Sequence, residues 1–133
     1  MDISFQSESK KSGDAFEELV LLDLQERKFS TIFKNVEIEN TGCEIDFLAK
    51  SWQSTEYVEA KGGNPGTNKR PGAKRTDSVK KAIANGALIK SIYPDAYYVV
   101  YFSSEPEAGS YSDKMIIAAK RAGFLDEVRY LIG

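Results

Sequence analysis

Apolar residues recur with helical spacing three times along the chain, and this pattern predicts three helices. The expected helices cover residues 14–27, 78–91 and 112–123. The polar residues 1–12 precede the first helix and predict a flexible arm, with Ser12 or Asp14 as the N-cap. Thr76 or Asp77 is expected to cap the second helix, and Ser112 the third.

Other apolar runs alternate with polar residues or are continuous, and these predict strands. The expected strands cover residues 32–38, 44–50, 56–61 and 96–102. A turn at 51–54 joins the second and third strands into a hairpin, while the tail 124–133 fits a helix or a strand equally well. The order α-β-β-β-α-β-α predicts an α/β fold, in which a mixed sheet carries helices on its faces, in one domain over residues 1–133.

Charged residues interrupt this hairpin where a strand normally places core residues: Asp46 in one strand, Glu59 and Lys61 in the next. A turn centred between Trp52 and Gln53 pairs Asp46 with Glu59, and directly opposed residues have Cβ atoms roughly 4.5–5.5 Å apart. Two carboxylates at that spacing repel each other, but they can share a divalent cation. Lys61 falls on the same face. In the alternative interpretation Lys61 forms a cross-strand ion pair, which accounts for one acid and not for both.

The amino-acid composition limits the kinds of catalytic and metal-binding site that the chain can form. The chain has no histidine and one cysteine, Cys43, so Ser-His-Asp hydrolases, His-ligated zinc enzymes and internal disulfides are excluded. Carboxylate ligands without histidine suit magnesium, manganese or calcium. With no apolar run of membrane-spanning length and no secretory signal, we expect a cytoplasmic protein without a membrane partner.

Positive and negative charges are distributed unevenly along the chain. Residues 61–81, the basic segment, hold seven of the 18 cations and one of the 20 acids, a net +6, whereas the remainder carries eleven cations and nineteen acids, a net −8. Such a basic stripe beside an acidic body is typical of a protein that binds phosphate backbones. A solvated basic loop is the other interpretation.

The acid–acid–lysine pattern within residues 42–63, together with the element order, resembles the signature of the PD-(D/E)xK nuclease superfamily, with Ile45 where the name has proline. The resemblance implies a restriction-endonuclease-like core that hydrolyses DNA phosphodiesters. It also implies Mg²⁺, with Mn²⁺ as a substitute, held by Asp46, Glu59 and the Ala60 backbone carbonyl. Lys61 would position or activate the attacking water.

The stretch Gly13–Leu19 resembles the superfamily helix that often carries an additional acid. Glu17 matches that position and is therefore a candidate catalytic and metal-binding residue, with Glu18 as the alternative for completing the site. Glu17 can equally be the third residue of a capping-box-like helix start at Asp14.

These features together predict a metal-dependent DNA endonuclease of restriction-like, homing-type or Holliday-junction-resolving activity. Because one short chain offers one site and cutting two strands needs two, we expect a homodimer or larger assembly. The alternatives are a nucleic-acid-binding module of the same fold that does not cut, and a structural protein that binds calcium. The residues expected to grip phosphates are Lys69, Arg70, Lys74, Arg75, Thr76, Lys80 and Lys81.

Overall fold

A mixed five-stranded sheet with helices on both faces organises the protein. The computed structural model describes the backbone of residues 3–62, 73 and 76–132, and the side chains of the same residues from residue 15 onward. The elements in chain order are α1 (Ile3–Glu26), β1 (Thr31–Ile38), β2 (Cys43–Lys50), β3 (Thr55–Lys61), α2 (Thr76–Ile92), β4 (Tyr97–Phe102), α3 (Tyr111–Ala122) and β5 (Glu127–Tyr130).

The sheet has the strand order β1-β2-β3-β4-β5. The first three strands form an antiparallel meander, and β3, β4 and β5 run parallel to one another. This confirms the predicted α/β mixed sheet and its element order, to which β5 adds one strand. The tail is therefore a strand, because α3 returns the chain to run parallel beside the buried β4.

The helix starts differ from those expected. Helix α1 begins at Ile3, not near Asp14, so residues 3–12 are helical and neither Ser12 nor Asp14 caps the helix. A helix tolerates one internal glycine, here Gly13, at a cost of about 1 kcal/mol. The helix over residues 3–12 was not predicted because these mostly polar residues show no helical spacing of apolar positions. No helix in the described part of the chain is long and apolar enough to cross a membrane.

The predicted caps of the other two helices are also wrong. Thr76 and Asp77 both lie inside α2, where an acid in the first turn complements the helix dipole. Helix α3 is capped by Ser110 rather than Ser112, because the Ser110 hydroxyl accepts a hydrogen bond from the Asp113 backbone N–H at 3.2 Å. The helix closes at Gly123 as expected, with φ at +83°.

Two buried clusters hold the layers together, and strand β2 contributes to both. Cys43 and Ile45 belong to the cluster under α2 and α3, whereas Phe47 and Ala49 belong to the cluster under α1. Residues two apart in a regular strand point to the same face of the sheet. The buried side chains of β2 therefore change from one face to the other at Asp46. The β1–β2 ladder lacks a pair at this point, and the opposing Asn35 has a left-handed φ of +52°. The strand therefore bends where Asp46 leaves the regular pattern.

Helix α2 sits close to the sheet because Gly86 has no side chain. A Cβ atom there would collide with the Phe124 carbonyl oxygen and the Tyr98 ring. The Tyr98 hydroxyl also donates to the Ala82 carbonyl at 2.8 Å, which ties β4 to the same helix turn.

We expect Gly86→Ala to destabilise the protein. Alanine gains about 1 kcal/mol of helix propensity over glycine, but overpacking against backbone costs about 1–3 kcal/mol. Urea denaturation should therefore give a lower midpoint than that of the wild type. The control variant Ala84→Gly, on the exposed side of α2, measures the difference in helix propensity between alanine and glycine without a change in packing. Equal or greater stability of Gly86→Ala would contradict the close packing.

Candidate active site

The hairpin brings the predicted triplet to the end of the β2–β3 ladder. Its register pairs Phe47 with Val58 and Leu48 with Tyr57, which confirms the predicted register. Extended by one residue, that register sets Asp46 opposite Glu59, but the backbone ladder stops at Phe47 and Val58. Asp46 instead accepts a hydrogen bond from the Ala60 backbone N–H to its Oδ2 at 2.7 Å. A carboxylate thus replaces the backbone partner where β2 bends away.

This contact also orients the Ala60 peptide. The N–H and C=O groups of one residue in an extended strand point to the same side. The Ala60 carbonyl therefore faces the side of the strand on which Asp46 lies, where the ladder has ended. The neighbouring Lys61 carbonyl faces the other way and accepts the Ser103 backbone N–H at 3.2 Å. The Ala60 carbonyl thus lies on the same edge of β3 as the Asp46 carboxylate.

Glu59 is buried, being 3% exposed, and its pairing is incomplete. Its Oε2 lies 3.7 Å from Lys61 Nζ, which is an ion pair but too long for a strong hydrogen bond. Its Oε1 is buried and has no hydrogen-bond partner in the described residues. Leaving a buried charged oxygen unpaired is costly, so this atom is suited to a ligand from outside the chain.

The same environment makes Glu59 a weak acid. Burial, and secondly the nearby Asp46 charge, raise the pKa of Glu59 to about 8, although Lys61 and Asn85 act in the opposite direction. Two carboxylates of one site repel each other in this way when no cation compensates them. A divalent cation beside the two carboxylates would counteract both effects, because it stabilises their charged forms.

A second buried carboxylate on β3 shows what full pairing looks like. Glu56 receives two parallel hydrogen bonds from Arg129 at 2.8 Å each. Arg129 also donates to Glu127 and to the Tyr101 hydroxyl, and Tyr101 in turn donates to Asp23 on α1. This Arg129 network satisfies its members within the fold. Glu59, three residues along the strand from Glu56, is therefore the exception that needs an explanation.

Asn85 belongs to the site, although sequence reasoning missed it. It lies on α2, and its amide acts to lower the pKa of the Glu59 carboxyl, against the larger effect of burial. Asn85 Oδ1 accepts from the Cys43 thiol, with Sγ 3.6 Å away. A signal was available in the sequence, because Asn85 lies one turn after the buried Ala82 and one turn before the buried Ile89, on the inward side of α2.

Glu17 lies at the border of the site. The ring of its neighbour Phe16 is buried and packs so closely on Gly62, directly after Lys61, that a Cβ there would collide with it. Glu17 is half-buried, whereas Glu18 is exposed. Within the described residues no three Asp, Glu, Cys or His side chains form a group that could hold a metal ion, so Glu17 does not join Asp46 and Glu59 in such a cluster. Because α1 begins at Ile3, the capping interpretation of Glu17 is wrong.

Part of the basic segment can be placed. Thr76 is the first residue of α2, and Lys80 and Lys81 are exposed one turn later. Lys81 lies one turn before Asn85 on α2. Ala73 is buried and donates its backbone N–H to the Ser104 carbonyl at 3.4 Å. The remaining predicted phosphate contacts lie outside the described residues: Lys69, Arg70, Lys74 and Arg75.

Comparisons of the chain with family models, with curated proteins and with solved structures gave no match.

Proposed function

We propose that the protein is a metal-dependent DNA endonuclease whose site is formed by Asp46, Glu59, Ala60 and Lys61. The observation that carries the proposal is the buried Glu59 Oε1, which has no hydrogen-bond partner in the described part of the chain and lies beside a second carboxylate. A merely structural role would pair this carboxyl fully, as Arg129 pairs Glu56 on the same strand.

The donor set fits a hard divalent cation such as Mg²⁺ or Mn²⁺. Asp46, Glu59 and the Ala60 carbonyl would hold it, since all three supply oxygen atoms at the end of the β2–β3 ladder. When bound, the cation lowers the pKa of a water ligand and offsets negative charge on the phosphate. Glu17 stays a predicted additional acid.

Lys61 supplies a positively charged side chain at the proposed site. It is one residue from the Ala60 peptide, partly exposed, and 3.7 Å from Glu59, so its ammonium can reach both the site and solvent. In this position it orients an attacking water and stabilises charge that develops on the phosphate oxygens.

The substrate would be held by the cations that follow the site. Lys80 and Lys81 are exposed on the first turns of α2, and helix N-termini bind phosphate groups. The strongly basic stretch between Lys61 and Thr76 supports the same assignment by its charge. Cutting both strands of a duplex would use two copies of the chain, so we propose a homodimer as the active form.

We expect Asp46→Asn and Lys61→Ala each to reduce DNA cleavage at least about a hundredfold, because the first removes a charged ligand of the proposed cation and the second removes the ammonium that would act on the phosphate. Supercoiled plasmid and branched DNA are incubated with Mg²⁺, Mn²⁺ or EDTA, and nicked and linear products are quantified. Glu44→Gln, an exposed acid on the same strand as Asp46, is the matched control and should cut like the wild type.

The result separates the two functions that the fold and charge allow. Cleavage that requires metal and is lost in both site variants supports the nuclease. DNA binding with no cleavage in any metal would overturn it in favour of a module that binds without cutting.

A further inference from the structure

The turn between β2 and β3 presents the single tryptophan of the chain to solvent. Trp52 is 90% exposed, although it stands on a well-ordered turn. The Ser51 backbone N–H donates to the Ser54 carbonyl at 2.8 Å. The Ser51 hydroxyl accepts the backbone N–H groups of Gln53 and Ser54 at 3.2 and 3.1 Å. These hydrogen bonds hold a large aromatic side chain at the surface, where it is suited to a partner rather than to the core.

An open cavity of about 520 Å³, the hairpin cavity, begins at the base of this turn. Lys50 and Thr55 form the pair of the β2–β3 ladder nearest the turn, and both line the cavity. Tyr57 and Tyr93 line it as well, and the Tyr93 hydroxyl is tied to the Glu39 carbonyl at 3.1 Å. The volume falls within the roughly 300–1,000 Å³ of ligand pockets, so the cavity has room for a planar ring such as a nucleobase.

The charges around the hairpin cavity favour a neutral ring with polar edges. Lys50 Nζ lies 5.8 Å from the centre of the exposed Phe33 ring, which places a cation on one side. Asp95 lines the cavity just beyond the C-terminal end of α2, where helix carbonyls concentrate partial negative charge. A phosphate would be repelled from that wall. A nucleobase carries no net charge and has hydrogen-bond donors and acceptors on its edges.

The surroundings of Trp52 are unlike the centre of a protein–protein interface. Its neighbours in the turn are the polar Ser51, Gln53 and Ser54, whereas a surface that binds an apolar partner presents a contiguous apolar patch. A single aromatic ring among polar groups, with a cation beside it, matches the way in which proteins bind the bases and backbone of a single strand.

We propose that Trp52 stacks on an unpaired base of a DNA strand and that the hairpin cavity receives the adjacent base, with the backbone on the Lys50 side. The inference rests on the DNA-binding part of the proposed function and names the substrate class. That class is DNA with unpaired nucleotides, because a base inside a continuous duplex has both faces stacked and must be extruded at a cost.

Strand β3 sets the distance between this surface and the proposed active site. It runs over seven residues, from Thr55 beside the turn to Lys61 at the site, and therefore spans roughly 20 Å. A DNA strand with a rise of about 3.4 Å per nucleotide covers this distance in about six nucleotides. Cleavage should therefore fall about six nucleotides from the unpaired base, which mapping of the product ends measures.

The direct test uses the emission of Trp52, since no other tryptophan contributes to it. The full chain is titrated in EDTA, where metal-dependent cleavage does not occur, with a single strand, a continuous duplex and a duplex containing a stretch of unpaired thymines. We expect the single strand and the interrupted duplex to quench the emission. The continuous duplex should leave it nearly unchanged at the same phosphate concentration.

The variants measure how much the stacking contributes to binding. Trp52→Ala should weaken binding of a labelled single strand about five- to a hundredfold, the usual loss for one stacked base. Trp52→Phe keeps an aromatic face and should retain most of the affinity. Tyr111→Ala, which removes an aromatic side chain that is 78% exposed at the start of α3, is the matched control and should bind like the wild type. Fluorescence anisotropy of the labelled strand measures all three.

The outcomes separate this inference from the proposed function. Equal quenching by the continuous duplex, or unchanged strand binding in Trp52→Ala, overturns the inference, and metal-dependent cleavage would then stand alone. Quenching by thymidine monophosphate that equals that of the strand overturns it in favour of a nucleotide pocket. A blue shift that grows with protein concentration shows that a second copy covers Trp52 and also overturns it. Selective quenching without cleavage in any metal supports the inference and overturns the nuclease.

Discussion

Glu59→Gln will stabilise the metal-free protein at alkaline pH and leave its stability at pH 4 unchanged. The folded-state pKa of Glu59 is raised from 4.5 to about 8. Between these values the folded chain retains a proton that the unfolded chain releases, so wild-type stability falls as the pH rises through this window. With about 1.4 kcal/mol for each pH unit, the loss at pH 8 and above is at most about 5 kcal/mol. Glutamine resembles the protonated acid and escapes this loss.

Urea denaturation in EDTA at pH 4, 6 and 8.5 measures this effect. The difference between Glu59→Gln and the wild type should be close to zero at pH 4 and should grow with pH. Glu44→Gln changes an exposed acid on the neighbouring strand and should show no such growth. Mg²⁺ or Mn²⁺ should flatten the pH dependence of the wild type and leave that of Glu59→Gln unaffected. A stability gain that is the same at every pH would refute the assignment of the raised pKa to Glu59.

Arg129→Met will destabilise the protein by about 3–5 kcal/mol, the usual cost of leaving a buried charge without its partner. Arg129 is 8% exposed and holds both oxygens of Glu56, itself 7% exposed. Lysine cannot replace it, because an ammonium lacks the planar pair of donors that matches a carboxylate. Arg129→Lys should therefore also lose a large part of the stability.

The matched comparison is the double variant Glu56→Met with Arg129→Met. It removes both charges and should be more stable than Arg129→Met alone, since no carboxylate is then left buried and unpaired. Denaturant midpoints for both single variants and the double variant complete the cycle. Strictly additive losses would show that Glu56 and Arg129 do not stabilise each other.

Much of the sheet could be predicted because alternation of apolar residues is a local property of strands. The hairpin register followed from the length of its turn, and the structure has the expected pairing of Phe47 with Val58. The same arithmetic sets Asp46 opposite Glu59, one residue beyond the end of the observed ladder, but it could not foresee that Asp46 accepts a hydrogen bond from the Ala60 N–H. That contact lies at the bend in β2, where the opposing Asn35 on the neighbouring strand has a left-handed φ.

Other features depend on residues far apart in the sequence and were beyond local patterns. The tail fitted a helix or a strand because its short apolar pattern has no clear period, and pairing with β4 decided it. Arg129 gave no sign of its role, since its partner Glu56 lies 73 residues away. Asn85 was overlooked because the role of a polar residue on the inward face of a helix depends on the side chains that lie opposite it in the folded protein.

The connection between β3 and α2 is held at two points that do not depend on its charges. Phe16 packs on Gly62, and Ser104 accepts the Ala73 backbone N–H. Neither contact uses a charged side chain, so substitution of the basic residues between Gly62 and Ala73 leaves both anchors in place. A change in the net charge of that stretch therefore alters the electrostatic attraction of the protein for polyanions while the Asp46–Glu59 pair stays as it is.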